Sequence, residues 1–227
     1  MKNCKHDRCR MIRGALGFAV LLCGISVRAL ETLPLLPDGA SKTLLESRNP
    51  IYCETEGRVP VDYAQALKVY AHPDLLVNVQ AAYSEHVLKE GAPEFSIQQT
   101  AEKKFHYVNR KKERTDISEI FRRETSDTTF DIILYSSGKR FFGNYQAVIH
   151  VQLLDCGDAG VGYVASVYAY PENAVSRFFS RHLGLVEKYF NKKTGHLTEM
   201  ITVISRSLCE QAAVAQDEPE ERGSQTS

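Results

Sequence analysis

Gly162-Tyr163-Val164-Ala165-Ser166-Val167-Tyr168-Ala169-Tyr170, followed at once by Pro171-Glu172-Asn173, is the stretch on which the fold turns. Its density of β-branched and aromatic residues marks a strand. Apolar or aromatic groups stand on both faces (Tyr163, Val164, Val167, Tyr168, Tyr170), which predicts a central strand in a sheet covered on two sides. Pro171 ends the run, and Asn173 is a good helix N-cap. Beyond it, apolar positions take helical spacing through Val175, Phe178, Phe179, His182, Val186, Tyr189 and Phe190. They continue through Leu197, Met200, Ile201, Ile204 and Leu208. Gly184 and Gly195 are weak points, so a short helix to about Leu183 and a longer one from Leu185 to Glu210 are expected.

Upstream, the period is two. Candidate strands are Phe95–Gln98, Lys104–Asn109, Ile117–Arg122, Phe130–Tyr135, Ala147–Leu154 and Gly162–Tyr170, with Arg140–Phe142 as a short extra. Ser136-Ser137-Gly138-Lys139 and Asp155-Cys156-Gly157-Asp158-Ala159-Gly160 read as turns between them. In Ala147–Leu154, Ala147, Ile149, Val151 and Leu153 face one way and His150 and Gln152 the other, as in a sheet with one covered and one wetter side. Further upstream, Val61 to Glu90 has helical periodicity broken at Ala71-His72-Pro73-Asp74, since proline cannot continue a helix unbent. The layout is α+β: an antiparallel sheet of about six strands on a long C-terminal amphipathic helix, with two N-terminal helices.

The strand Gly162–Tyr170, the link Pro171-Glu172-Asn173 and the stripe Val186, Phe190, Leu197, Ile201, Ile204 and Leu208 resemble the helix-grip arrangement of START-like proteins. The chain also resembles exported proteins of spirochaetes. The START-like order puts a strand before the first helices, and only Pro50-Ile51-Tyr52-Cys53 offers one here. The resemblance implies a site for a lipid or other apolar ligand between sheet and helix. Its implied lining is Tyr163, Val167, Tyr168 and Tyr170 on the strand, with Phe179, Val186, Phe190, Met200 and Ile204 on the helices. A non-enzymatic structural or interaction protein with a solid core is the alternative.

The N-terminus speaks about destination. Lys2, Lys5, Arg8, Arg10 and Arg13 precede an uncharged apolar run from Ala15 to Val27, and Val27-Arg28-Ala29 supplies small residues for cleavage. This is the pattern of a secretory signal peptide, and it predicts export to the periplasm or cell envelope of a bacterium. Met11 opens a complete signal of its own and is an alternative start. Cys23 invites a lipoprotein reading, but the bulky Leu22 before it argues against lipidation there. The expected organisation is a signal peptide over 1–29, an irregular arm over 30–50, a single domain over 51–210 and a disordered acidic tail over 211–227.

Of the 28 basic and 28 acidic residues, the first 29 positions hold six and one, so the remainder carries a net charge of −5. That balance excludes a nucleic-acid binder of the strongly basic kind. Cys53, Cys156 and Cys209 survive cleavage; one disulfide with one thiol left over is the simple arithmetic, and three pairings are open. The histidines form no compact metal spacing, no Gly-x-Ser-x-Gly occurs, and the glycines near Cys156 sit where a turn needs them. No catalytic residue, metal ligand or cofactor is therefore assigned. Lys103, Lys104, Arg110, Lys111 and Lys112 form the densest basic cluster and suit an anionic membrane surface, although lysines also serve to block pairing at sheet edges.

Overall fold

Among the described residues, the first strand pairs with the last, and the others follow in sequence order. The computed structural model describes residues 32–37, 39–47, 50–87, 95–140, 142–173, 188 and 202–211. The elements are α1 (Ala40–Ser47), β1 (Ile51–Val59), α2 (Tyr63–Tyr70) and α3 (Leu75–Ala82). Then come β2 (Phe95–Ala101), β3 (Lys104–Asn109), β4 (Arg114–Ser126), β5 (Thr129–Arg140), β6 (Gly143–Asp155) and β7 (Val161–Pro171). Residues 202–211 are helical. All seven strands join one antiparallel sheet in the order β1-β7-β6-β5-β4-β3-β2. A strand, two helices, a six-stranded meander and helical residues packed on one sheet face make a helix-grip-like α+β arrangement.

Local chemistry explains the helix boundaries. Asp62 caps α2, its side chain accepting from the Gln65 amide at 3.0 Å. The helix stops before His72-Pro73, and the Leu75 amide restarts the path by donating to the His72 carbonyl at 3.1 Å. Ala66 and Val69 of α2, Leu75 and Ala82 of α3, and Ile204, Leu208 and Cys209 of the 202–211 helix are buried on the sheet. They meet Phe130, Ile132 and Leu134 of β5, Leu153 of β6 and Tyr163 of β7. This is the helix face. The intervening residues Ile133, Val148, Tyr168 and Tyr170 point to the opposite face and pack with Leu36, Leu44 and Leu45 of the N-terminal arm.

Four expectations are corrected. The sheet has seven strands rather than six, because Ile51–Cys53 opens a nine-residue strand. Glu54, Glu56 and Arg58 disguise it: β1 is an edge strand and carries polar groups that a central strand would not. Ser136-Ser137-Gly138-Lys139 is not a turn but the continuation of β5, and the hairpin closes at Arg140 paired with Gly143. Gly138 is there for close approach, since a Cβ on it would lie 2.9 Å from the Arg114 carbonyl. The arm is not irregular throughout, for α1 lies within it and buries Leu44 and Leu45. Nor does the sheet have a wetter side at His150, which is 9% exposed beneath that arm. The helix expected to about Leu183, most of the one from Leu185, and the signal and tail segments lie outside the described residues.

The β6–β7 connection is a 3-10 turn over Gly157–Ala159, held by the Cys156 amide on the Gly160 carbonyl at 3.0 Å. Gly160 has φ +87° and ψ −152°, a region essentially closed to other residues, and a Cβ there would collide with the Val59 carbonyl. Gly160→Ala should therefore lower the urea midpoint by the equivalent of about 2–4 kcal/mol, strain and clash together. Gly157→Ala, at φ +58° with open space around it, should cost about 1–2 kcal/mol. Equal midpoints for the two variants would contradict this account of the turn.

Candidate functional site

The helix face carries the first candidate site. Strict alternation in β6 and β7 sets Ile149, Val151 and Leu153 beside Val167, Ala165 and Tyr163 in register. Leu134 and Ile132 of β5 pair with Ile149 and Val151, which extends this apolar floor across three strands. β4 completes it differently. A register shift between Glu119 and Phe121 places Glu119 opposite Leu134 and Arg122 opposite Ile132, so both charged side chains lie on the helix face. They form an ion pair with side-chain exposures of only 6% and 8%. The guanidinium also donates to the Tyr70 carbonyl at 3.1 Å and to the His72 carbonyl, satisfying the carbonyl end of α2. Arg122 thereby ties the helix break to the sheet.

Buried polar groups with nothing to bond among the described residues occur on this face, as the Tyr170 hydroxyl does on the other. Arg122 Nε on β4, the Tyr63 hydroxyl on α2 and Ser207 Oγ on the 202–211 helix are buried and unpartnered among the described residues. Burial, with the nearby carboxylates of Glu124, Asp155 and Asp131, raises the Tyr63 hydroxyl's pKa, so it stays a donor. The Tyr70 hydroxyl, by contrast, is engaged with Ser205 Oγ and joins α2 to the 202–211 helix; burial pushes its pKa up to about 12. Towards the β5–β6 turn, the Tyr145 hydroxyl meets Thr115 Oγ1 at 3.0 Å, and Arg140 lies 5.6 Å from the Tyr145 ring centre. A separate open groove of about 310 Å³, lined by Lys68, Val69, His72, Asn78, Leu208 and Gln211, runs between helices and does not reach the sheet.

The arm face holds a second cluster. Thr32 Oγ1 lies 3.1 Å from His150 Nδ1 and 3.2 Å from the Tyr168 hydroxyl. His150 Nε2 is 2.6 Å from Asp131 Oδ1, which also accepts from Gln152 at 3.1 Å, while Thr125 donates to Asp131 Oδ2. Burial is the largest influence on Asp131 and works to raise its pKa, but the hydrogen bonds from His150 and Thr125, the charge of His150 and the Gln152 amide outweigh it. Its carboxyl is held below the ordinary value of 3.8. Hydroxyl, imidazole and carboxylate stand in the order of a nucleophile relay. Thr32 is 0% exposed, however, and its hydroxyl is bracketed by His150 and Tyr168. The relay fastens the start of the arm to the sheet. Behind it, Glu54 accepts from Tyr52 and from Ser166, the latter at 3.1 Å.

The nine residues expected to line one pocket divide. Tyr163 and Val167 are on the helix face, and Ile204 packs there at 5% exposure. Tyr168 and Tyr170 belong to the arm face, because residues an odd number apart in a strand point oppositely. Phe179, Val186, Phe190 and Met200 lie outside the described residues. Cys53 lies on β1, and Cys156 in the β6–β7 turn and Cys209 in the 202–211 helix are free thiols among the described residues. Burial, followed by the Glu210 charge, pushes Cys209 up to about 11, away from thiolate reactivity. The sequence did not bring Glu119, Arg122, Tyr63 and Ser207 together on the helix face, nor Thr32, His150 and Asp131 behind it. Thr32 and His150 are 118 positions apart, so no local spacing could have revealed that contact.

No family model matches the chain, and no curated protein matches it in sequence. Among solved structures it is similar to a conserved protein from Geobacillus kaustophilus, at 12% identity over 70% of this chain and 96% of that one, with a TM-score of 0.44. It is also similar to norcoclaurine synthase from Thalictrum flavum, at 14% identity over 70% and 94%, TM-score 0.46. A protein of unknown function from Staphylococcus aureus follows at 13% identity over 72% and 95%, TM-score 0.41.

Proposed function

We propose that this is an exported protein of the bacterial cell envelope that binds a lipid or other apolar ligand between its sheet and its helical layer. One observation carries the reading: among the described residues, three buried polar atoms without a partner, Arg122 Nε, the Tyr63 hydroxyl and Ser207 Oγ, come from β4, α2 and the 202–211 helix, three elements on the helix side of the sheet. Buried polar groups without partners are rare in a filled core, where each costs about 1–3 kcal/mol. An apolar lining with a few unspent donors is what a site for an amphipathic ligand requires. The basic and apolar pattern of residues 1–29 supports export.

The test is native mass spectrometry on the protein recovered from the envelope of its host, followed by lipid extraction. The expected result is a chain beginning at Leu30 with a reproducible bound lipid. Tyr63→Phe should leave stability unchanged or slightly higher, because a buried unsatisfied hydroxyl is removed, while occupancy falls several-fold. A clean unliganded mass in the parent would overturn the ligand reading in favour of a solid-cored structural protein. A retained N-terminus would overturn the signal-cleavage reading.

A further inference from the structure

The register of the sheet redraws the basic cluster. Lys103 and Lys104 stand at the β2–β3 turn, whereas Arg110, Lys111 and Lys112 stand at the β3–β4 turn, at opposite ends of the six-residue β3. At roughly 3.3 Å per residue, the two groups are about 17 Å apart. Arg122 is withdrawn as well, being buried against Glu119. In exchange, the pairing of Thr115 with Gly138 brings the end of β5 beside the start of β4, so exposed Lys139 joins exposed Arg110, Lys111, Lys112 and Arg114 at one end of the sheet.

The edge-blocking explanation for lysines does not reach this group. The sheet edges are β1 and β2, and these residues occupy the β3–β4 and β5–β6 turns. Among the described residues, the nearby acids Glu113, Asp116 and Glu172 each hold a partner. Glu113 accepts from the Asn109 amide at 2.7 Å and lies 3.9 Å from Arg140; Asp116 accepts from Arg114 at 2.7 Å; Glu172 accepts from Gln146 at 2.8 Å. The β3–β4 turn is also braced. Asn109 accepts from the Glu113 amide at 2.9 Å through its side chain and from the Lys112 amide at 2.8 Å through its carbonyl. Lys112 sits at φ +60° within that frame. Lys111, Lys112 and Lys139 are thus exposed together at one end of a chain that is net negative without its first 29 residues. Phe142, the described aromatic of the β5–β6 turn, is 8% exposed and packed against Tyr145, so contact here would be electrostatic adsorption rather than insertion.

We propose that this end of the sheet, presenting Lys111, Lys112 and Lys139, docks the protein reversibly on an anionic lipid surface. Each cation near such a surface contributes about fivefold in partitioning, and salt screens it. The test is co-sedimentation of the processed full chain with vesicles of phosphatidylglycerol and phosphatidylcholine, and with phosphatidylcholine alone, at low and high salt. Binding should require phosphatidylglycerol and weaken with salt. The triple variant Lys111→Gln, Lys112→Gln, Lys139→Gln should lose about 100-fold at unchanged melting temperature. Lys103→Gln with Lys104→Gln, at the other end, should bind as the parent does. Equal loss in both variants, full binding by the triple variant, or equal binding to neutral vesicles would overturn the proposal. Displacement by millimolar inorganic phosphate would also overturn it, in favour of a discrete anion site. Lipid occupancy by native mass spectrometry should be the same in the triple variant, which keeps this result separate from the ligand proposal.

Discussion

Asp131→Ala is expected to cost about 3–5 kcal/mol, a large share of the roughly 5–15 kcal/mol by which a domain of this size is stable. The carboxylate is 1% exposed and accepts from His150, Gln152 and Thr125. Its removal leaves an imidazole, an amide and a hydroxyl together without their common acceptor, and the polar group that fastens Thr32 loses its support. Because the carboxyl's folded pKa lies below its ordinary 3.8, its stabilisation is complete above that value and disappears as pH falls through the lower, folded value. Urea midpoints at pH 6 should therefore separate parent from variant widely, and the gap should narrow below pH 3.8. A constant gap across that range would show that the charge of Asp131 is irrelevant to the fold.

Ile204→Asp should be at least as damaging. Ile204 is 5% exposed and packs with Leu208 in the cluster that joins the 202–211 helix to the sheet. The variant forfeits about 1.5–3 kcal/mol of apolar burial and places a carboxylate in an apolar cluster, which costs several kcal/mol more. Val203 gives the control: it is the neighbouring residue on the same helix but 47% exposed, and Val203→Asp should fall within about 0.5 kcal/mol of the parent. If both variants melted alike, the 202–211 helix would not be packed through the face seen here. Truncation after Gln211 should change the midpoint little.

How far the chain could be read depended on the range of the interaction. Alternation of Ala147, Ile149, Val151 and Leu153 against His150 and Gln152 identified β6 and its two faces, because strand periodicity is a local property. The two-sided character of Gly162–Tyr170 likewise anticipated a strand covered on both faces. The same periodicity, applied to Tyr168 and Tyr170, would have placed them on the face opposite Tyr163. Gly138 misled for a different reason. Glycine marks a turn when φ demands it, and it marks close backbone approach when a neighbouring strand demands it; the residues around it look the same in both cases.

Amino-acid order was enough to establish the α+β class, the antiparallel meander, the break at His72-Pro73 and the two-faced central strand, since each follows from steric and solvation preferences acting over a few residues. Long-range pairing decided the rest. Register carried Lys139 to Lys111 and separated both from Lys103; the β4 shift turned Glu119 and Arg122 inward; and folding of the arm delivered Thr32 to a histidine 118 residues away. Contacts of that kind depend on where strands come to rest beside one another. That position is set by the summed burial of both sheet faces, a quantity that no short stretch of the chain contains.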